Sequence, residues 1–257
     1  MCDRPFISSV CICRIIGRGS VYIGGRLSSG YFRLAKGQLS VIRKLKDPVS
    51  GLTHLAGALA SVAALVVLVV LAVRDGTAWH VVAFAIFGAS LILLYTASSL
   101  YHLLPLSERG SRVLRRLDHI MIFLLIAGTY TPICLIPLRG EWGWSLLVSV
   151  WTLALAGIFL KLFWLQAPRW LSTGIYLFMG WLIVVATWPL IQTIPPGGMI
   201  WMAIGGLSYT IGAVIYGLKR PNPIPGVLGF HEIFHLFVIA GSFAHFWMML
   251  RYILYIG

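Results

Sequence analysis

From Leu52 onward the chain repeats one feature, an apolar stretch of about 20 residues, long enough to cross a ~30 Å hydrocarbon core at 1.5 Å per residue. A water-soluble domain keeps roughly 25% of its residues charged. Here only 11% of the 257 residues are charged and 59% are hydrophobic, too few charges to face water on all sides. The fold class is therefore all-α: a polytopic membrane protein built as a seven-transmembrane helix bundle.

Helix-breaking residues divide the runs. Arg74-Asp75-Gly76, Pro105, Pro137 to Gly140, Pro168, Pro195-Pro196-Gly197-Gly198 and the segment KRPNPIPG separate predicted helices over 51–73, 79–104, 112–136, 143–163, 170–190, 198–218 and 227–252. Residues 1–46 are different: rich in Gly, Ser and Arg, without sustained periodicity. Their apolar pieces are interrupted by Arg14 and Arg18 and no clean cleavage site follows, so the segment is a poor signal peptide. The expectation is a disordered basic tail, or an over-extended start, in which case a chain beginning near Leu39 folds as well as the full one. Residues 47–257 are expected to form one membrane domain without repeats. The cysteines imply neither a metal site nor a disulfide framework: Cys2, Cys11 and Cys13 lie in the tail and Cys134 lies alone in an apolar run.

The net charge of +13 is explained by where the basic residues fall. Before the first helix stand Arg26, Arg33, Lys36, Arg43, Lys44 and Lys46. The 2–3 connection carries Arg109, Arg112, Arg115 and Arg116, the 4–5 connection Lys161 and Arg169, and the 6–7 connection Lys219 and Arg220. The opposite side has only Arg74, Arg139 and Arg251. By the positive-inside rule the N-terminus is cytoplasmic and the C-terminus external. A nucleic-acid partner is excluded, because no soluble module is present to carry a basic face.

An ionisable side chain at mid-span costs at least ~2.5–3.5 kcal/mol, so each one within a helix asks for a reason. With alternating helix directions, His102 ends the second helix, Asp118 begins the third, and His231 and His235 begin the seventh, all at similar depth near the inner leaflet. His231 and His235 are i, i+4 and share a helical face. Two imidazoles so placed can hold Zn²⁺ at ~2.0–2.1 Å each, His102 can supply the third nitrogen, and a catalytic site keeps its fourth position open for water. Asp118 is left as an acceptor for that water, whose pKa a metal lowers from ~15.7 toward ~7. The bland alternatives are an incidental histidine pair, an interface histidine at 102 and an Asp118 paired with Arg115 or Arg116. The metal needs fewer coincidences.

Other polar residues receive lesser roles. His54 is an outer group or a helix-start residue, with the structural role preferred, and His80 is an interfacial imidazole. His119 is turned about 100° from Asp118 and is expected to pack between helices. His245 stands about 21 Å along the helix from His231 and cannot share an ion with it. The stretch HEIFH at 231–235 matches the zinc-protease pattern, but Glu232 is rotated about 100° from His231 and reads as a boundary or loop-facing residue.

Ser98-x-x-x-His102, Arg116-Leu117-Asp118, His231-x-x-x-His235 and Thr53-His54-Leu55, set on seven spans, resemble the hemolysin III family, the bacterial branch of the progestin and adipoQ receptors. The resemblance runs from about Asp47 to Tyr252. It implies an integral protein of the bacterial cytoplasmic (inner) membrane with zinc bound by His102, His231 and His235 near the cytoplasmic face. It also implies that Asp118 holds the zinc water and that Ser98 sits beside the ion. Alkaline ceramidases in the wider superfamily hydrolyse a lipid amide with this constellation, the serine helping to stabilise the oxyanion.

Three functions compete. The first is a zinc-dependent hydrolase of a lipid amide or ester, with Asp118 as general base and Ser98 assisting the oxyanion, its substrate drawn from the surrounding membrane lipids. The second is a receptor-like, lipid-sensing or pore-forming membrane protein with structural zinc. The third is an intramembrane protease using Glu232 as base and Asp118 as third ligand, a reading that leaves His102 unexplained.

Overall fold

The computed structural model of the chain describes residues 45–257, so the expected basic tail lies outside the described residues except for its last two. In hydrocarbon each backbone N–H and C=O must find its partner inside the protein, which a helix achieves within one segment. Among the described residues, seven helices long and apolar enough to cross a membrane follow one another: α1 (Pro48–Asp75), α2 (Ala78–Leu103), α3 (Glu108–Leu135), α4 (Glu141–Phe163), α5 (Arg169–Thr193), α6 (Pro196–Leu218) and α7 (Phe230–Arg251). These seven helices mark an integral membrane protein.

Two starts lie three and four residues earlier than the sequence spacing predicts. Pro48 occupies the first turn of α1, where its missing N–H costs nothing. The hydroxyl of Ser107 accepts from the Gly110 N–H, capping α3 and drawing its first turn back to Glu108. The fifth span is not one regular helix. Between α-helical segments Arg169–Trp181 and Thr187–Thr193 it tightens to a 3₁₀ turn over Leu182–Ala186. Two causes act there. Pro189 has no N–H for the Val185 carbonyl, and the Tyr130 hydroxyl of α3 inserts into the ladder. That hydroxyl accepts from Ile183 N–H at 2.8 Å and donates to the carbonyls of Met179 (2.7 Å) and Gly180 (2.8 Å).

The core runs between α1, α2, α3 and α7 through Phe84, Phe87, Phe123, Met248 and Met249, all fully buried. Leu59, Val66 and Val73 of α1 point outward, as lipid-facing residues do. Helices α1 to α3 pack closely in sequence order, as do α6 and α7, whereas α5 touches its neighbours sparsely. Close approach relies on small residues: at Gly88 of α2 a Cβ would strike Leu65 of α1.

One end of the bundle gathers the starts of α1, α3, α5 and α7 with the ends of α2, α4 and α6. Asp47 N–H donates to the His102 carbonyl at 2.8 Å, Arg169 donates to the Tyr216 carbonyl at 3.3 Å, and the Tyr176 hydroxyl donates to the His119 carbonyl at 3.1 Å. Among the described residues this end carries most of the Lys and Arg. At the opposite end His80 is buried rather than interfacial, because the last turn of the chain covers it. Its Nδ1 accepts from Thr77 N–H at 3.1 Å and its Nε2 lies 3.3 Å from the Ile253 carbonyl.

Candidate metal centre

The last turn of α2 and the first two turns of α7 meet at the basic end, and their histidines converge. His231 Nε2 lies 3.1 Å from His102 Nε2. The rings of His231 and His235 are 4.6 Å apart between centroids, and those of His102 and His235 are 5.0 Å apart. One ligand atom from each of the three falls within 4.8 Å of the others. His102 and His235 are buried and His231 is half-buried.

Asp47, just before α1, and Ser50 in its first turn set the tautomers of two of the histidines. His102 Nδ1 stands 3.2 Å from the Asp47 carboxylate and His235 Nδ1 stands 3.3 Å from the Ser50 carbonyl. Both partners are acceptors, so each Nδ1 carries the proton and each Nε2 is left with a free lone pair. The His102 lone pair faces His231 Nε2 at 3.1 Å, which can donate to it as an N–H or, deprotonated, share a cation with it. Nitrogens bound tetrahedrally at ~2.0–2.1 Å stand about 3.3 Å apart, close to the 3.1 Å between His102 and His231, with His235 within 4.8 Å of both. The three-histidine group can therefore hold a metal ion with little movement. Carboxylate and carbonyl acceptors behind the imidazoles are the usual outer support of such a site.

Asp118 and Ser98 line one cavity with His231 and His235, about 450 Å³ in volume. The Ser98 hydroxyl is buried and has no hydrogen-bond partner among the described residues. Asp118 does not pair with Arg115 or Arg116. The one basic group within ion-pair distance of it among the described residues is its neighbour His119, at 3.8 Å. His119 Nδ1 donates to the Arg115 carbonyl (2.7 Å), and the residue also lines the cavity. Away from this polar floor the cavity is mostly apolar, lined by Leu94, Ile126, Val238, Leu190 and Met199 among others. Trp181, Val184 and Leu207, exposed on α5 and α6, form its outer wall.

Glu232 has a different task. Its carboxylate accepts from Ser50 Oγ at 2.7 Å and from Gly229 N–H at 2.8 Å, fastening the start of α7 to the start of α1. It does not line the cavity. His54 turns out closer to the centre than a helix-start residue would be. Its ring stacks on His235 at 3.6 Å, with Tyr95 edge-on at 5.0 Å, and neither nitrogen has a partner among the described residues. Asp47 and Ser50 escaped the sequence reading; the one available signal was an acid directly before a helix-starting proline, seven residues ahead of His54.

The family model described as Haemolysin-III related matches residues 42–246. The Hemolysin-3 homolog of Bacillus subtilis (strain 168) is 42% identical over 207 residues, 80% of this chain and 94% of that protein. Hemolysin-3 of Bacillus cereus is 42% identical over 209 residues, 81% of this chain and 92% of the relative. The human Monocyte to macrophage differentiation factor is 25% identical over 183 residues, 68% of this chain and 72% of its own length. Matched over most of its length by the family model and by two close bacterial relatives, the chain belongs to the hemolysin III family.

Proposed function

We propose that the protein is a zinc-dependent hydrolase of a lipid amide or ester in the bacterial cytoplasmic membrane, working at the cytoplasmic end of the bundle. The observation that carries this reading is that two of three convergent imidazoles, His231 and His235, line a largely apolar cavity that also holds a carboxylate and an unpartnered hydroxyl. A purely structural metal site is closed by protein ligands, whereas three histidines leave a position for water. The excess of Lys and Arg at the same end supports a cytoplasmic location.

His102, His231 and His235 would hold the ion, with Asp47 and Ser50 fixing two of the rings. Bound there, zinc would supply Lewis acidity and lower the pKa of water. Asp118 takes the proton from the attacking water and returns it to the leaving amine or alcohol. The Ser98 hydroxyl donates to the carbonyl oxygen as charge gathers on it, where a preset donor helps most. The apolar walls seat the acyl chain and exclude bulk water, and the sparse packing of α5 offers a sideways path from the bilayer.

Comparing untargeted lipid profiles of membranes carrying the wild-type protein or Asp118→Ala tests this. One class of lipid amide or ester should be depleted, and its free acid enriched, only with the wild type. Identical profiles would overturn the hydrolase and favour the second reading, a receptor-like, lipid-sensing or pore-forming protein with structural zinc. The names of the two Bacillus relatives lend that reading its support. The protease reading is weakened because both oxygens of Glu232 are engaged away from the cavity.

A further inference from the structure

Among the polar groups that line the cavity and that the chemistry above does not use, His245 is the histidine furthest along α7 from the metal ligands. His245 lies ten residues beyond His235 on α7, about 15 Å along the helix axis at 1.5 Å per residue. That depth is the apolar interior of the bundle, where an imidazole is rare and asks for a purpose. His245 is 5% exposed, lines the cavity, and its Nδ1 has no hydrogen-bond partner among the described residues. Its neighbours have satisfied one another. Tyr95 OH donates to Ser242 Oγ at 2.7 Å, Tyr209 OH and Ser242 Oγ are 2.9 Å apart, and Thr129 Oγ1 donates to the Leu125 carbonyl at 2.8 Å. The imidazole rests beside the Tyr209 ring at 5.5 Å and fills the space that the missing side chain of Gly205 leaves on α6.

We infer that His245 is a second polar subsite of the cavity, and that the occupant is a long-chain amphiphile bearing a hydroxyl about a dozen carbons from its reacting carbonyl. This rests on the reading that the cavity seats an acyl chain. An extended chain advances about 1.25 Å per C–C bond of ~1.5 Å, so ~15 Å corresponds to roughly 12 bonds. Neutral imidazole offers one donor and one acceptor, and a hydroxyl, which is both, pairs with either tautomer. A second charged group is disfavoured, because burying it in this apolar space lacks a counter-charge. The cavity continues past His245 to Met199 and Leu190, which leaves room for the rest of the chain.

The test is displacement of a fluorescent fatty acid from the zinc-loaded full chain in detergent micelles. The competitors are octadecanoic acid and its 7-hydroxy and 12-hydroxy derivatives. Wild type should bind the 12-hydroxy acid roughly three- to tenfold more tightly than the other two, the worth of one net hydrogen bond. His245→Phe, which keeps a ring beside Tyr209 but no nitrogen, should bring that ratio to about one while plain octadecanoate binds as before. His245→Asn, with a donor and an acceptor, should recover part of the preference. Failure of octadecanoate itself to compete with wild type would overturn the acyl-seat reading and the subsite together. Binding of octadecanoate with no preference for position 12, or a preference that persists in His245→Phe, would overturn the subsite alone. Should the Phe variant not fold, the wild-type positional series decides: a ratio of one between the 12-hydroxy and 7-hydroxy acids refutes the subsite.

Discussion

Replacing Asp47 with Ala should weaken zinc binding without touching a ligand. The Asp47 side chain makes no capping bond to α1, and its backbone N–H to the His102 carbonyl (2.8 Å) survives the substitution. What is lost is the acceptor on His102 Nδ1 at 3.2 Å, which fixes the tautomer and strengthens Nε2 as a donor of electrons. Outer acceptors of this kind are worth about 10–100-fold in metal affinity. Asp47 is 45% exposed in its side chain and is shared with Lys46 Nζ at 3.9 Å, so water and a second cation already dilute the contact. The expected loss is therefore near the lower limit, about tenfold or ~1.4 kcal/mol. Asp47→Asn keeps an acceptor oxygen and should lose only about two- to threefold. Zinc affinity of the purified protein, measured by competition with a fluorescent chelator, decides the matter. An Asp47→Ala protein that holds zinc within twofold of wild type would refute the outer-support role. So would an Asn variant as weak as the Ala variant.

Glu232→Gln should retain zinc and the lipid-profile change while costing about 1 kcal/mol of stability, since one of two accepted hydrogen bonds is lost. Asp118→Asn should retain zinc and abolish the lipid change; the reverse pattern would reinstate Glu232 as base. Tyr130→Phe removes the hydroxyl that bridges Met179, Gly180 and Ile183, and should lower the thermal unfolding midpoint by the equivalent of roughly 1–3 kcal/mol. An unchanged midpoint would assign the break in α5 to Pro189 alone.

The seven spans and the convergence of His102, His231 and His235 were legible because hydropathy, breakers and Lys/Arg placement act over long stretches of chain. Depth along each helix follows from topology and set the three histidines and Asp118 at one level, whereas Ser98 entered only through the family resemblance. What sequence could not show was the rotation of each helix. Asp47, Ser50 and His54 belong to the centre only because α1 turns that face toward α2 and α7, a consequence of packing. The break in α5 was half visible, in Pro189, but the other half is a tyrosine 53 residues away that inserts its hydroxyl. Likewise, the sequence separated His245 from the metal by distance, while its place in the cavity wall depends on Gly205 of the neighbouring helix making room.

Metal content is the most direct measurement. Elemental analysis of the full chain purified in mild detergent should find one zinc per wild-type molecule and one in Asp118→Asn. In His102→Ala, His231→Ala and His235→Ala, each tested by itself, it should find close to none. Stoichiometric zinc persisting in all three histidine variants, or a wild-type protein that binds none when zinc is offered, would contradict the metal centre.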